Sequence, residues 1–566
     1  MSLPTSTPAA SSGDFARGTF TPGTTSPAAT SRLPRSVLVF ALACYALGVV
    51  ACFVTRDYGY YFDDKLHVEA VRVTFESGVL LPRYYHYPSF SYLMSLCAAL
   101  PTWAEHGYDG AATAAALGEA LQRKLVDPTP RIVHDARFLF AAVAHLSLLW
   151  SALLAWKLSR SRLAACAAPL VLLVSFEFRA HARIWATDAT MAQFVLLSAL
   201  LAVVYLEHGR RRDFVLSALA AGLAAGTKFP GAMALTAAGT AALCLELARR
   251  PAGARLSAWK PVLGLSLLGL GLVLATFLVT TPGAVVDAKL FRDDVRMELR
   301  HYRAEGRGGP HEPYGVDSGL DHLSRLLVYL SAQSLSYAPL AALCLFALAV
   351  LGLLYAARRG IPLALVAFSV PALYVAYFSY QRLMAVRNFQ VLLGFVAVAA
   401  GLGAHALWRS RAPRPLRATL LGAAGLALAW NASFLAEADR SIVGRREIDQ
   451  TAELRKFLAA SREPVFLAPH ALEKAAIDSQ SPLDAKLALT PADAREVVLW
   501  MPLDLTEIVS RQGFHPELVR ANWPRIYRPL PAGPWEVNYS YYPTWAGDPR
   551  PVVIAAEYYR ELLGIR

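Results

Sequence analysis

Asp63, Asp64 and Lys65 stand side by side in the run Tyr61-Phe62-Asp63-Asp64-Lys65-Leu66-His67, a few residues past the first long apolar segment, 36–55. Two adjacent carboxylates at a bilayer edge cost desolvation and repel each other. A site that holds a proton, a hydroxyl or a charged substrate at the membrane surface would offset both costs. A carboxylate there serves as general base if it is desolvated enough to accept a proton and still ionised. The plain alternative is that Asp63 caps a helix running to about Ser77, with Leu66, Ala70, Val73 and Ser77 on one side. A cap leaves the second acid and the lysine unexplained, because the first helical turn favours acid and not lysine.

The elements that must position these groups are membrane spans. The chain has 566 residues, 55% hydrophobic and only 17% charged, and its long uncharged runs recur in a way a soluble chain would not repeat. They fall at 36–55, 138–156, 163–176, 189–205, 214–227, 231–245, 261–281, 337–357, 361–379, 389–407 and 418–434. Each is near the ~20 residues that a spanning helix needs, so the expected fold is a polytopic α-helical membrane protein of about eleven spans. The net charge of +13 points first to nucleic acid, but the Arg and Lys residues sit in short connections between apolar runs, where membrane orientation accounts for them better. The six cysteines, Cys44, Cys52, Cys97, Cys166, Cys244 and Cys344, lie in apolar stretches and form no disulfide framework.

Residues 1–34 are rich in Ser, Thr, Pro, Ala and Gly and read as a disordered tail, too long and polar for an ordinary signal peptide. With that tail in the cytoplasm, every second connection is basic: Lys157, Arg160 and Arg162; Arg210, Arg211 and Arg212; Arg249, Arg250, Arg255 and Lys260; Arg358 and Arg359; Arg409, Arg411, Arg414 and Arg417. A transmembrane domain at 35–435 then has two larger outer loops, 56–135 and 282–336. Residues 436–566 follow as a small α/β domain on the outer face. Its strand-like pieces are 464–468, 497–500 and 552–555, with a helical stretch at 449–459.

Cations on the outer face run against the positive-inside bias. Arg179, His181, Arg183 and Asp188 lie in one short outer connection, Lys228 in the turn Gly226-Thr227-Lys228-Phe229-Pro230-Gly231, and Arg382 and Arg387 beside Asn388 at the start of a later span. Lys65 joins them from the first loop. Ordinary interfacial snorkelling accounts for any one of them. An anionic group such as a lipid phosphate accounts for all four segments together, with Arg binding bidentate and Lys as a point charge.

In these residues the chain resembles the membrane glycosyltransferases of the GT-C superfamily, and within it the family of protein O-mannosyltransferases and lipid A aminoarabinose transferases. Asp63-Asp64 resembles that family's acidic pair, usually Asp-Glu, after the first span. His86-Tyr87-Pro88-Ser89 resembles its His-Pro-Pro or Tyr-Pro-Pro element with the second proline lost. Arg183 to Asp188 and Thr227-Lys228 resemble its Arg–Asp element and Thr-Lys turn, and Arg387-Asn388-Phe389 resembles its Arg-Tyr element without the tyrosine. The likeness spans roughly 35–408 and implies a multi-pass protein of a bacterial inner membrane, with its C-terminal domain periplasmic or extracellular. It implies a polyprenyl-phosphate sugar donor and an acceptor that is a lipid, glycan or protein. Asp63 or Asp64 would be the general base or would orient the acceptor. Lys65, Arg183, Lys228 and Arg387 would hold the donor phosphate and stabilise it as leaving group. His86, Tyr87, His181 and Asp188 would bind substrate.

The sequence fixes no cofactor. A divalent metal is open, with His67 and Glu69, or His301, His311 and His322, as ligands in no closed zinc spacing. The stretch 298–311, where Arg307 replaces a histidine of some relatives, reads either as a mobile glycine-rich flap or as a plain connector. The competing function is a transporter or flippase of a lipid-linked glycan. That reading expects polar residues at mid-membrane and related halves, and the spans are mostly clean and show no repeat.

Overall fold

The computed structural model describes residues 33–56, 62–122, 130–251, 257, 259–303, 316, 318–332, 334–336, 338–382, 386–445, 450–475, 487–501, 528–529 and 550–563. Residues 1–32 of the expected tail 1–34 and the glycine-rich stretch 304–315, with Arg307 and His311, lie outside them.

Each expected apolar run is a helix. In chain order the helices are α1 (Arg35–Val54), α2 (Phe62–Ser77), α3 (Phe90–Glu105), α4 (Gly110–Gln122), α5 (Arg131–Ser159), α6 (Arg162–Leu173), α7 (Phe176–Ala182), α8 (Thr187–His208) and α9 (Arg211–Thr227). After a 3-10 segment, Phe229–Ala234, come α10 (Leu235–Ala248), α11 (Trp259–Thr280), α12 (Gly283–Val286), α13 (Ala288–Arg303), α14 (Gly319–Ala332), α15 (Pro339–Arg359) and α16 (Ile361–Ser379). A second 3-10 segment, Val386–Phe389, leads into α17 (Gln390–Arg409) and α18 (Arg414–Arg445). Among the described residues nine helices are long and apolar enough to cross a membrane, ten if α6 and α7 form one span bent by 62°. The remaining expected span, α9, is only 17 residues long. The chain is a multi-pass membrane protein. Helices α8 and α17 run through its core, whereas α11 and α18 expose Leu263, Leu267, Val279 and Leu426, apolar side chains that suit lipid.

Three local features decide where the polar groups end up. At Ser175 the helix breaks: Ser175 caps α7 by accepting from the Phe178 amide at 3.3 Å, and its hydroxyl donates to the Ser334 carbonyl at 2.8 Å. The bend turns the charged residues of α7 into the protein. Helix α2 begins at Phe62, so Asp63 lies inside the first turn instead of capping it. Helix α18 runs to Arg445 through the expected boundary at 435, because residues 431–443 contain no Gly or Pro to stop it.

Helices α15 and α17 touch backbone to backbone. A Cβ on Gly352 would collide with the Ala399 carbonyl, and one on Gly403 with the Leu348 carbonyl. Backbone cannot step aside as a side chain can, so Gly403→Val is expected to lower stability by about 3 kcal/mol, at the upper end of overpacking costs. Thermal unfolding in detergent checks this.

The C-terminal segment adds α19 (Gln450–Ala460), β1 (Val465–Leu467), α20 (Pro469–Ala475), β2 (Glu496–Met501), β3 (Arg528–Pro529), β4 (Arg550–Ala555) and a closing helix, Ala556–Leu562. The sheet order is β1-β2-β4-β3, with β1 and β2 parallel and β4 antiparallel to both neighbours. Leu454, Leu458, Val465, Val498 and Val553 form its core.

Candidate functional site

The tight turn after α9 buries Lys228. Gly231 lies against the backbone of Ala224 and Ala225, where no Cβ fits, and Lys228 is extended (φ −153°, ψ 135°). Its Nζ donates to Asp188 Oδ1 at 2.6 Å and to Asn388 Oδ1 at 2.8 Å, and lies 5.8 Å from the centre of the Tyr87 ring. Asp188 comes from the first turn of α8 and Asn388 from the segment before α17. Arg387 donates to Tyr87 Oη at 3.3 Å and is an electrostatic neighbour of Asp188. Tyr302, on the last turn of α13, lies 3.2 Å from Asn388 Nδ2. Five stretches of chain thus converge on one ammonium. Two of its three N–H donors are engaged by Asp188 and Asn388.

Helix α2 turns Asp64, His67, Val68 and Val71 inward, the spacing of one helical face. Asp64 Oδ2 accepts from Arg137 Nη2 at 2.6 Å, and both side chains are 1% exposed. Arg137 also donates to the Arg56 carbonyl at 2.9 Å, which ties the end of α1 to the start of α5. One turn beyond Asp64, the His67 ring stacks on Trp185, with centroids 5.2 Å apart and planes 9° apart, and faces Tyr87 at 6.4 Å. Trp185 is fixed in turn by Nε1 donating to Ser95 Oγ at 3.0 Å.

Burial pushes the His67 imidazole from its ordinary 6.5 down to about 3. The folded state therefore refuses a proton that the unfolded chain accepts. Stability from this group is complete above pH 6.5 and is lost as pH falls from 6.5 toward 3. The expected slope is up to about 1.4 kcal/mol per pH unit, read as the difference between wild type and His67→Phe in unfolding experiments across that window.

The second loop clamps the first. Asp294 Oδ2 accepts from the Tyr85 amide at 2.7 Å, and Glu298 Oε2 lies 3.5 Å from His86 Nδ1. The buried Tyr85 ring fills the space that a Cβ on Gly283 would need, and meets Phe291 edge-on at 5.7 Å. Thr281 Oγ1 accepts from the Ser89 amide at 3.1 Å. Helix α13 thus lies across the Tyr84–Tyr87 stretch, with Phe291, Asp294, Glu298 and Tyr302 on its inner side.

A second charged group forms around α7. Arg179 donates to Asp439 Oδ2 at 2.6 Å and Arg183 to Asp439 Oδ1 at 3.0 Å. Glu177 accepts from Tyr329 at 3.1 Å and lies 3.7 Å from His181 Nε2.

The expected single set of four cations is therefore divided. Lys228 and Arg387 come together, with Tyr87 and Asp188 beside them and His86 on the adjoining loop. Arg183 does not join them, because Asp439 takes its guanidinium. Lys65 does not join either. It is about 100° round α2 from Asp64, exposed, and its charged neighbour is Glu69. His181, also electrostatically close to Asp188, faces Glu177. The Asp63 side chain lies outside the described residues. The sequence does not mark Arg137 and Asp439 as site residues, and it gives Glu298 and Tyr302 no role beyond their place in the stretch 298–311. Arg137 had a signal, a lone cation just before the apolar run from Phe138. Among the described residues no three His, Cys, Asp or Glu side chains gather to hold a metal ion. Of the ligands considered, His322 instead lies 3.0 Å from the Gln381 carbonyl through Nδ1, and His301 and His311 fall outside the described side chains.

Residues 130–278, which supply Arg137, Arg179, Arg183, Asp188 and Lys228, match the family described as dolichyl-phosphate-mannose-protein mannosyltransferase. The match bears out the resemblance to GT-C membrane glycosyltransferases. Solved structures similar to the chain include ArnT from Cupriavidus metallidurans in the apo state, at 15% identity over 92% of this chain and 98% of that one, with a TM-score of 0.47. ArnT bound to undecaprenyl phosphate is similar at 16% identity over 93% and 98%, with a TM-score of 0.46. The arabinosyltransferase EmbB from Mycobacterium smegmatis is similar at 16% identity over 64% of this chain and 30% of that one, with a TM-score of 0.37. No curated protein matches the chain significantly.

Proposed function

We propose that this protein is an integral membrane glycosyltransferase that moves a sugar from a polyprenyl-phosphate donor to an acceptor on the outer face of a bacterial inner membrane, with its N-terminus cytoplasmic. One observation carries the reading: the buried Lys228, held by Asp188 and Asn388 with one donor to spare, stands beside Arg387 and Tyr87 where separate chain segments meet. The match to a family named for a dolichyl-phosphate-mannose donor supports it.

In this mechanism the spare N–H of Lys228 and the guanidinium of Arg387 take the donor phosphate. The acidic pair Asp63-Asp64 accepts the proton of the acceptor hydroxyl. Arg137, 2.6 Å from Asp64, favours the charged carboxylate, the form in which a base accepts a proton. The acceptor oxygen bonds to the anomeric carbon as the bond from that carbon to phosphate oxygen breaks. The electron pair leaves with polyprenyl phosphate, whose charge Lys228 and Arg387 stabilise. His86 and Tyr87, under α13, line the approach for substrate, and Asp188 holds Lys228 in place.

Mass spectrometry of envelope glycans and glycoproteins from cells with and without the gene product tests the reading. One glycan or glycoprotein class is expected to lose a single sugar. Identical profiles would contradict it.

A further inference from the structure

Helix α13 has a side that the transfer mechanism does not use. Phe291, Asp294, Glu298 and Tyr302 occupy its inner side, whereas Lys289, Arg292, Arg296 and Arg300 are exposed on the opposite one. Their spacing of three and four residues places all four within an arc of about 80°. Asp293 is exposed among them, 3.8 Å from Arg292 Nε and 3.8 Å from Arg296 Nη1, and open pairs at that distance are weak. The arc therefore keeps an excess of positive charge.

Both ends of α13 are pinned at the ends of lipid-facing spans. The Phe291 ring lies 6.2 Å from that of Phe277, in the last turn of α11. Tyr302 meets Phe378, in the last turn of α16, edge-on at 6.3 Å, and its carbonyl accepts from the Arg382 amide at 3.2 Å. Leu274 and Val279 on α11 and Leu373 and Tyr377 on α16 are exposed apolar side chains. A helix of 16 residues, about 24 Å long, thus runs along the edge of the bundle at the height where these spans leave the bilayer. Met297 and Leu299, on either flank of the basic arc, are exposed too, as are Val285 and Val286 just before it.

We propose that the exposed side of α13 docks on the anionic phospholipid headgroups of the leaflet that borders the site. A solvated face accounts for the cations but not for the apolar side chains left open on both flanks of them. A membrane surface accounts for both: headgroup phosphates meet the charges, and the apolar flanks enter the boundary between headgroups and acyl chains. The contact reaches the site through the other side of the same helix. Asp294 and Glu298 hold the Tyr85 amide and His86, and Tyr302 lies beside Asn388, so leaflet charge presses α13 onto the Lys228 group. The inference holds whichever reaction that group performs.

Hydrogen exchange over residues 288–303 of the full-length protein tests it, in nanodiscs of phosphatidylcholine alone and of phosphatidylcholine mixed with phosphatidylglycerol. Phosphatidylglycerol is expected to slow exchange at least about fivefold, the worth of one cation at an anionic surface, and high salt to abolish the difference. The triple variant Arg292→Gln, Arg296→Gln and Arg300→Gln is expected to exchange alike in both discs. Arg292→Lys, Arg296→Lys and Arg300→Lys together are expected to keep the slowing, because a headgroup surface reads charge and not the guanidinium fork. All three side chains are exposed on the side away from the site, so the fold tolerates both variants. Equal exchange of the wild-type protein in the two discs overturns the proposal, as does slowing that survives the Gln variant. Slowing by soluble polyglutamate in phosphatidylcholine discs, with none from phosphatidylglycerol, also overturns it and assigns the basic arc to an anionic polymer in the water. No turnover enters the measurement, so this inference and the transferase reading fail separately.

Discussion

Lys228→Met is expected to abolish binding of a polyprenyl-phosphate donor and to lower stability by about 3–5 kcal/mol, the usual cost of stranding one partner of a buried ion pair. The stranded group is Asp188, 2% exposed on its side chain, which loses its hydrogen-bonded cation and keeps the charges of Arg387 and His181 nearby. The two effects separate in a double variant. Lys228→Met with Asp188→Asn removes both charges and is expected to recover most of the stability. It is not expected to recover donor binding, because the ammonium is what meets the phosphate. Thermal unfolding and donor titration on the same preparations give both readouts. Normal donor affinity in Lys228→Met would remove the phosphate-holding role and leave Lys228 as a structural strut.

Asp64→Asn is expected to cut transfer by about 10²–10⁴-fold, the range that a positioned base contributes, while the protein still inserts and binds donor. Arg137 makes this sharper. Arg137→Gln is expected to destabilise by about 3–5 kcal/mol, since it leaves the 1%-exposed Asp64 without its cation. Combining the two substitutions should restore folding and leave transfer absent. A purely structural pair would behave otherwise, and the refolded double variant would then transfer at the wild-type rate. Single-turnover rates at saturating donor, read beside unfolding curves, distinguish these outcomes. Asp63→Asn in parallel identifies which neighbour of the pair takes the proton.

Much of this arrangement was legible in the sequence, for definable reasons. Spans follow from uncharged runs, so α1, α5, α8, α11 and α15 to α18 could be placed from composition alone. Asp188 and Lys228 were both singled out as polar groups at the ends of apolar runs. Their pairing was not legible, because they stand 40 positions apart, at the ends of different helices, and only packing decides which helix ends meet. Adjacency misled at Lys65: neighbours in sequence diverge by about 100° on a helix, so a lysine next to a buried acid points away from it. Asp439 was lost for a different reason. A domain boundary drawn where hydrophobicity ends fell at 435, whereas the helix continues to Arg445 and carries the carboxylate back onto Arg179 and Arg183. The bend at Ser175 was equally hidden, since one capping hydroxyl in an apolar run leaves no mark on a hydropathy profile.

The central claim is that a sugar is cut from a lipid phosphate at this surface, and the most direct measurement is transfer by the purified protein in proteoliposomes. The donor is a polyprenyl-phosphate sugar, with an envelope extract as acceptor and no nucleotide sugar present. The account predicts that the sugar appears on the acceptor and free polyprenyl phosphate accumulates in equal amount, with both products lost in Asp64→Asn and Lys228→Met. An intact donor that crosses the bilayer uncleaved, at a rate that depends on Lys228, would contradict it and make the protein a carrier of its lipid instead.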